Sequence, residues 1–218
     1  MERDLEALED VEAGRADTIA RCYGWSLQAV TIGRLQNADS VKAEFGNLPI
    51  YRRPTGGRAV IHGDDLTISV AARHGIGLNP ARIDGSLIKR GVLADYFNVT
   101  EAIRSTLHAQ GILTDYGQDA VRYTYRKSIG QSGAIAGHDV PSEDCFKTNA
   151  KCDIVTVSDG VKICGCAMKR HRNAFLVQAS LLRLPEVDIF GAEFQSELQC
   201  QLARYLTVER WDFPAGRD

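Results

Sequence analysis

Three groups of residues in this sequence are of types that do chemistry. The first is Cys145, in S-E-D-C-F-K-T-N-A-K-C-D-I. A thiol on a loop near a lysine and a glycine-rich turn can ionise and act as a nucleophile. A buried packing thiol is the other fate open to it. The second is Lys162, in D-I-V-T-V-S-D-G-V-K-I-C-G-C-A-M-K-R. Gly165 in the same strand signals close approach by a ligand or another backbone. A lysine aimed there polarises an acyl carbonyl or holds a phosphate; otherwise it is a solvated strand lysine. The third is R-R-P-T-G-G-R-A-V-I-H-G, from Arg52 to Gly63. Gly56 and Gly57 let the backbone approach a ligand, and their amides can form an anion-binding nest. Arg52, Arg53 and Arg58 add positive charge. Such a loop suits a carboxylate, a phosphate or a similar head group, or it is a tight turn with exposed arginines. His62 at its end either assists catalysis or is structural.

The remaining cysteines read more simply. Cys145, Cys152, Cys164 and Cys166 are spaced C-x6-C-x11-C-x-C, which matches no common zinc pattern. No metal is expected. Cys164 and Cys166, two apart on a strand, face the same side. With Cys22 and Cys200 they are expected to be free thiols, because the acidic start M-E-R-D-L-E-A-L-E-D is no secretory signal. A cytoplasmic protein is expected. Lys+Arg 26 against Asp+Glu 28 gives a net charge of −2, so no excess charge points to nucleic acid or an anionic membrane. No apolar run is long enough to span a bilayer. Hydrophobic residues at 44% and charged residues at 25% exclude disordered and collagen-like chains. The 218 residues fit one domain, 1–218.

The elements that must position these groups follow from periodicity. Residues 1–13 predict an amphipathic helix with Leu5, Leu8 and Val11 on one side. Short strands are expected at 17–23 and 28–32, and a helix at 39–45 with Asp39 as N-cap. A strand-like L-P-I-Y and the glycine loop follow. Leu66, Ile68 and Val70 alternate with Thr67 and Ser69, so 65–72 is a strand. Residues 84–110 are helical in spacing, with a break near Asn98. Residues 126–144 have no periodicity, and such a stretch inside a domain is often functional. Strands at 153–157 and 161–169 join at Ser158-Asp159-Gly160, a hairpin turn. A strand at 174–183 and a helix at 188–206 close the chain. Trp25, Leu66, Ile68, Phe175 and Val177 are expected in the core. The class is α+β.

The glycine loop resembles the signature of the biotin/lipoate protein ligase and transferase family, in its lipoate/octanoate branch. Arg52, Arg53, Thr55, Gly56, Gly57, Ala59, Val60 and His62 fill the places of its two arginines, Ser/Thr-Gly-Gly loop, small-aliphatic pair and histidine. D-D-L-T-I-S-V matches the next strand, and R-C-Y-G-W-S-L-Q-A-V-T-I-G-R-L-Q looks like the family's upstream strand pair. The segment from Lys162 resembles the Lys-aliphatic-x-Gly-Ser-Ala element, with Gly165 and Ala167 in place and Cys166 where the family usually has Ser. Cys145-Phe146, ahead of Asp153-Ile154, resembles the nucleophile segment of the Cys-dependent octanoyltransferases of the ligase-like branch. The likeness spans roughly residues 1–185.

The resemblance implies a mixed, mostly antiparallel sheet flanked by helices, of biotin/lipoate ligase catalytic-domain type. It implies an octanoyltransferase, with octanoyl on acyl carrier protein as donor. The acceptor would be the lysine of a lipoyl domain, from a glycine cleavage H protein or a 2-oxoacid dehydrogenase E2. Cys145 would carry the octanoyl group and Lys162 would contact its carbonyl. Arg52, Arg53, Thr55, Gly56, Gly57, His62, Gly165 and Ala167 would bind substrate. No cofactor is expected for that reaction. The alternative is an ATP-dependent lipoate–protein ligase, which would use ATP and Mg and leave Cys145 without a role. A non-catalytic binding module of the same fold is opposed by the retained Cys145, Lys162 and Gly-Gly loop.

Overall fold

In the computed structural model, residues 1–76, 81–83, 86–88, 91–117, 143–147, 150 and 152–213 are described. Helix α1 (Glu2–Glu12) leads to strands β1 (Thr18–Tyr23) and β2 (Ala29–Ile32). Helix α2 (Ala38–Phe45) and strands β3 (Ile50–Arg52), β4 (Val60–His62) and β5 (Leu66–Arg73) follow. A hairpin of β6 (Ala81–Ile83) and β7 (Ser86–Ile88) precedes helix α3 (Val92–Ala109) and strand β8 (Thr114–Tyr116). A 3₁₀ turn at Cys145–Lys147 precedes β9 (Ile154–Thr156), β10 (Lys162–His171) and β11 (Ala174–Leu181); helix α4 (Ala192–Tyr205) and β12 (Arg210–Asp212) complete the order.

The period-2 pattern of β5 sets the layers. Leu66, Ile68, Val70 and Ala72 point to one face, with Phe175, Val177, Ala179 and Leu181 of β11. That face packs on Val99, Ile103 and Leu107 of α3 and on Phe194, Leu198 and Leu202 of α4. Ala71 and Leu176 point to the other face, against Ala7, Leu8 and Val11 of α1. Each large side chain buried this way contributes about 1.5–3 kcal/mol. Burial on both faces fits the central place of β5 and β11 in the order β12-β1-β5-β11-β10-β9-β8. Every pairing in this sheet is antiparallel except β1 with β12. A second sheet, β3-β2-β4, packs on α2 through Val30, Ile32, Val41 and Ala59. This is the expected α+β, mostly antiparallel architecture. Among the described residues no helix is long and apolar enough to cross a membrane.

Several local expectations are corrected. The helix expected over 84–110 begins only at Val92, and Ser86–Ile88 is strand β7, paired antiparallel with β6. In the sequence, the Asp-Gly pair at 84–85 is a turn signal that competes with the helical spacing. The helix does not break at Asn98, whose Nδ2 donates to the Ala94 carbonyl at 2.7 Å within the same helix. The cap of α2 is Asn37, whose side chain accepts from the Asp39 amide at 2.8 Å. The helix expected from 188 starts at Ala192, because 188–191 form a turn closed by the Gly191 amide on the Asp188 carbonyl. Trp25 is half-buried rather than in the core. Of the irregular stretch 126–144, residues 126–142 lie outside the described residues.

Helix α1 also carries a carboxylate into the interior. Asp4 is fully buried and paired with Arg21 of β1. It accepts from Tyr23 Oη and from Gln178 Nε2 of β11, each at 2.7 Å. Gln178 Oε1 in turn accepts from Thr55 Oγ1 of the glycine loop at 2.8 Å. Arg21 Nε donates to Asp212 of β12 at 2.9 Å. One buried charge thus ties four elements and the loop together. Removing one partner of a buried pair leaves the other uncompensated, at about 3–5 kcal/mol. Asp4→Ala is therefore expected to lower unfolding stability by about 3 kcal/mol in urea titrations; a loss below about 1 kcal/mol would show that the network contributes little to the fold.

Candidate active site

The glycine loop, residues 53–59, joins β3 to β4 and lies on Gly33. A Cβ at Gly33 would sit 2.0 Å from the Gly57 carbonyl oxygen, so no side chain fits there. Gly57 itself takes φ +89°. The buried Arg53 guanidinium holds the loop's curvature. It donates to the Gly56 carbonyl (3.1 and 2.8 Å), the Arg58 carbonyl (2.6 Å) and the Thr31 carbonyl (3.0 Å). Arg52 is exposed, and its Nη1 donates to the carbonyls of Gly33, Arg34 and Gln36 at 2.9–3.0 Å. Of the two arginines expected at a head group, Arg53 reaches the pocket wall and Arg52 braces the 33–36 turn outside it.

The segment carrying Cys145 is a short parallel extension of this loop. The Ala59 amide donates to the Glu143 carbonyl at 2.8 Å, and the Cys145 amide donates to the Ala59 carbonyl at 2.7 Å. Helix α2 steadies the segment from outside. Glu44 accepts from the Glu143 amide at 2.8 Å and pairs with Lys147 at 3.0 Å. Cys145 is half-buried at the pocket wall.

Lys162 reaches Cys145 from the first position of β10. Its Nζ donates to the Cys145 carbonyl at 2.7 Å and lies 3.3 Å from Cys145 Sγ. It also pairs with Asp153 Oδ2 at 2.7 Å, both side chains almost fully buried. The Phe146 ring lies under the ammonium, 5.2 Å from Nζ. Burial alone would lower the Lys162 pKa. The neighbouring Cys145 and Asp153 charges and hydrogen bonds outweigh it, so the pKa stands above the ordinary lysine value and the group is a cation. A β-bulge between Lys162 and Cys164 makes this meeting possible. In a regular strand residues three apart face opposite sides. Here a Cβ at Gly165 would lie 3.2 Å from Lys162 Cε and 3.4 Å from Cys145 Sγ. Gly165 is the floor beneath the thiol–ammonium pair; two side chains approach it, where its place in the strand had signalled a ligand or another backbone.

A small pocket, with a cavity volume of about 40 Å³, opens beside Cys145, between the small sheet and the α1 face of the large one. Its wall is mostly apolar although many of its residues are polar. The reason is that their polar atoms are committed to one another. Thr31 Oγ1 and His62 Nε2 are 2.7 Å apart, and His62 Nδ1 and Asp65 Oδ2 are 2.7 Å apart. Ser180 Oγ donates to the same carboxylate oxygen at 2.7 Å. Trp25 stacks on His62 at 4.1 Å and donates to Thr67 Oγ1 at 2.9 Å. What these side chains leave to the cavity is methyl and methylene surface, joined by Val60 and Ala167.

The structure brings Cys145, Lys162, Arg53, Gly57, His62, Gly165 and Ala167 together. Thr55 stands behind the wall on Gln178, and Gly56 serves as acceptor for Arg53. Asp65 and Gln178 are structural partners that sequence reasoning did not single out, and Asp153 entered it only through the resemblance of the Cys145 segment, with no role given. The His62-x-x-Asp65 spacing was a usable signal; for Asp153 the signal was its place eight residues after Cys145. The other thiols stay apart from this chemistry. Cys164 and Cys166 share a side as expected, with Sγ atoms 3.8 Å apart. That contact, and then burial, push the Cys166 thiol well above the ordinary range, so it stays neutral. Among the described residues no cluster of His, Cys, Asp or Glu could hold a metal.

Comparison with known proteins agrees with this geometry. The family model "Lipoyl protein ligase A/B catalytic domain" matches residues 1–201. A curated relative from Exiguobacterium sp., Octanoyltransferase LipM, is 28% identical over 199 residues, 89% of this chain and 65% of its own. LipM of Exiguobacterium sibiricum is 27% identical over 185 residues, 83% of this chain and 60% of its own. The chain thus spans about 60–65% of the length of these relatives. Among solved structures, a lipoate-protein ligase A bound with ATP aligns at TM-score 0.58 and 20% identity, over 99% of this chain and 85% of the other. That likeness shows the fold. Gly165→Val, which would crowd Sγ, is expected to slow iodoacetamide modification of Cys145 about tenfold or more, as followed by intact mass. An unchanged rate would place the thiol away from Gly165.

Proposed function

The chain belongs to the lipoyl protein ligase A/B catalytic-domain family, and from that premise we propose that it transfers octanoyl groups to lipoyl domains through Cys145. The observation that carries this reading is the thiol held 3.3 Å from a buried ammonium, at the wall of an apolar pocket. A thiol needs a nearby positive charge to be a strong nucleophile at neutral pH. The apolar wall beside it suits an acyl chain rather than a charged group. The relatives named octanoyltransferases support the same chemistry.

The proposed donor is octanoyl thioester on acyl carrier protein. The Cys145 thiolate attacks the carbonyl carbon, the bond to the carrier's sulfur breaks, and the carrier leaves as a thiolate that takes a proton from solvent. One thioester replaces another, so the step is nearly isoenergetic and ATP is not needed. The lysine amine of a lipoyl domain, from an H protein or an E2, then attacks octanoyl-Cys145. An amide forms, Cys145 leaves as thiolate, and the amine's surplus proton passes to solvent. Both steps go through a tetrahedral oxyanion beside Sγ. The Lys162 ammonium, already within reach of Sγ, is the donor that stabilises it. The pocket wall of Val60, Ala167 and the hydrogen-bonded Thr31–His62–Asp65 set shields the octanoyl chain from water.

Mixing the protein with octanoyl-acyl carrier protein without ATP is expected to give a hydroxylamine-labile octanoyl adduct on Cys145 by intact mass. Cys145→Ala should abolish it, and Cys166→Ser should not. ATP-dependent octanoylation of a lipoyl domain from free octanoate, with no adduct, would make the protein a ligase instead. Lys162→Ala should keep its fold by circular dichroism and lose about 10²–10³-fold in acylation rate, the usual loss for one oxyanion donor. Acylation at the wild-type rate in that variant would remove Lys162 from the mechanism.

A further inference from the structure

Away from the site, Arg15, Arg21, Arg73, Arg104, Arg183 and Arg210 each pair with a carboxylate. Three arginines beside the glycine loop do not. Arg52 and Arg53 donate to backbone carbonyls and, from Arg53, to the Thr31 hydroxyl. The Arg34 side chain is exposed and has no partner among the described residues. Carbonyls hold a guanidinium in place without cancelling its charge. Uncompensated cations thus gather at one side of the pocket, in a chain whose net charge is −2. Such a local field attracts an anionic surface.

The turn at 33–36 adds an apolar element to this field. Leu35 is 87% exposed. A single exposed leucine is ordinary, but this one stands on a turn bonded from several sides. The Gln36 amide donates to the Gly33 carbonyl at 3.0 Å, and the Arg34 amide donates to the Thr55 carbonyl at 2.9 Å. Gln36 Nε2 donates to the Glu143 carbonyl at 3.2 Å, and Arg52 braces the carbonyl side. The turn is therefore fixed to the glycine loop and to the segment that carries Cys145. A side chain held in advance loses little freedom when a partner covers it. The turn is also set back from the thiol. Gly33 packs behind Gly57, and it is Gly57 that lines the pocket. A partner seated on the turn must reach Cys145 across the width of the glycine loop. The long phosphopantetheine arm of an acyl carrier protein suits that reach, whereas a lysine side chain is much shorter.

We propose that the 33–36 turn, through Leu35 and Arg34, is the docking site for an acidic, partly apolar face of the carrier protein that delivers the octanoyl group. Leu35 is the apolar anchor, and Arg34 supplies charge that steers the approach and fixes the orientation. The inference rests on the reading that octanoyl on acyl carrier protein is the donor to Cys145.

Arg34→Glu and Leu35→Ser change exposed side chains and keep the backbone bonds of the turn. The test follows acylation of Cys145 by intact mass in single turnovers of the full chain. Two donors are compared: octanoyl-acyl carrier protein, and octanoyl-pantetheine, which has the thioester but neither protein nor phosphate. With the carrier, each variant is expected to need about tenfold more donor for half-maximal rate, while the maximal rate stays within about twofold of wild type. With octanoyl-pantetheine both quantities should stay within about twofold of wild type. Added salt should slow acylation of wild type by dilute carrier and have little effect on Arg34→Glu. Variants that saturate with carrier as wild type does overturn the docking site and leave the donor reading standing. Equal losses with both donors also overturn it, since the turn would then be shaping the pocket. In a further assay Cys145 is loaded from octanoyl-pantetheine and mixed with a lipoyl domain. Slower transfer in the variants, with normal loading from the carrier, would assign the turn to the acceptor and overturn the proposal. Wild-type protein that takes octanoyl from pantetheine but not from the carrier overturns the donor reading and the proposal with it. If neither donor acylates Cys145, the acyl-enzyme reading fails first and the docking site falls with it.

Discussion

An ammonium that is almost out of reach of water is the constraint around which this molecule is arranged. Taking one ion out of water costs several kcal/mol even after relaxation, and the cost is offset only by close, well-directed partners. Lys162 finds them in Asp153 and in the backbone and sulfur of Cys145. Each requires a piece of architecture. The carboxylate needs the start of β9 and two backbone amides to hold it. The sulfur needs the Cys145 turn pinned to Ala59. The lysine needs a bulge to turn it to the correct side, and a residue without a side chain three positions on. The same contacts that make the charge tolerable hold the thiol beside a cation.

How much of this could be read from the residues depended on the range of the interaction. The central strands were legible because β5 alternates over its whole length, and amphipathic spacing marked α3 and α4. The three-residue strands β4, β8 and β12 were not, since so short a segment has no period of its own and exists only through its partners. The stripe of α1 was read as Leu5, Leu8 and Val11. The buried side contains Ala7, Leu8, Val11 and Asp4, because a charge enters a core when Arg21 and Tyr23 arrive from another strand. The site divides in the same way. Cys145, Lys162 and the glycine loop carry local marks. The meeting of Lys162 with Asp153 does not, because the bulge changes which side of the strand the lysine occupies.

The pocket shows how polar side chains can make an apolar surface. Threonine, serine, histidine and glutamine outnumber aliphatic residues in its wall. Left unpaired, each would cost about 1–3 kcal/mol on burial. Paired in sets such as Thr31–His62–Asp65–Ser180, they hold fixed rotamers and turn carbon toward the cavity. Such a wall is stiffer than one built of leucine and methionine, since each residue is held by direction as well as by contact.

The fit of Gly57 against Gly33 bears on how the site can drift under selection. With 2.0 Å between the Gly57 oxygen and the place a Cβ would take, the loop and the 33–36 turn form one inherited unit. The molecule can vary Val60 and Ala167 in size without unpairing a polar group, since their side chains enter no hydrogen bond in the wall. It cannot vary Gly33 one step at a time. The loop and the turn beneath it are therefore fixed in shape by a contact between backbones, while the pocket's size is set by side chains that border the loop.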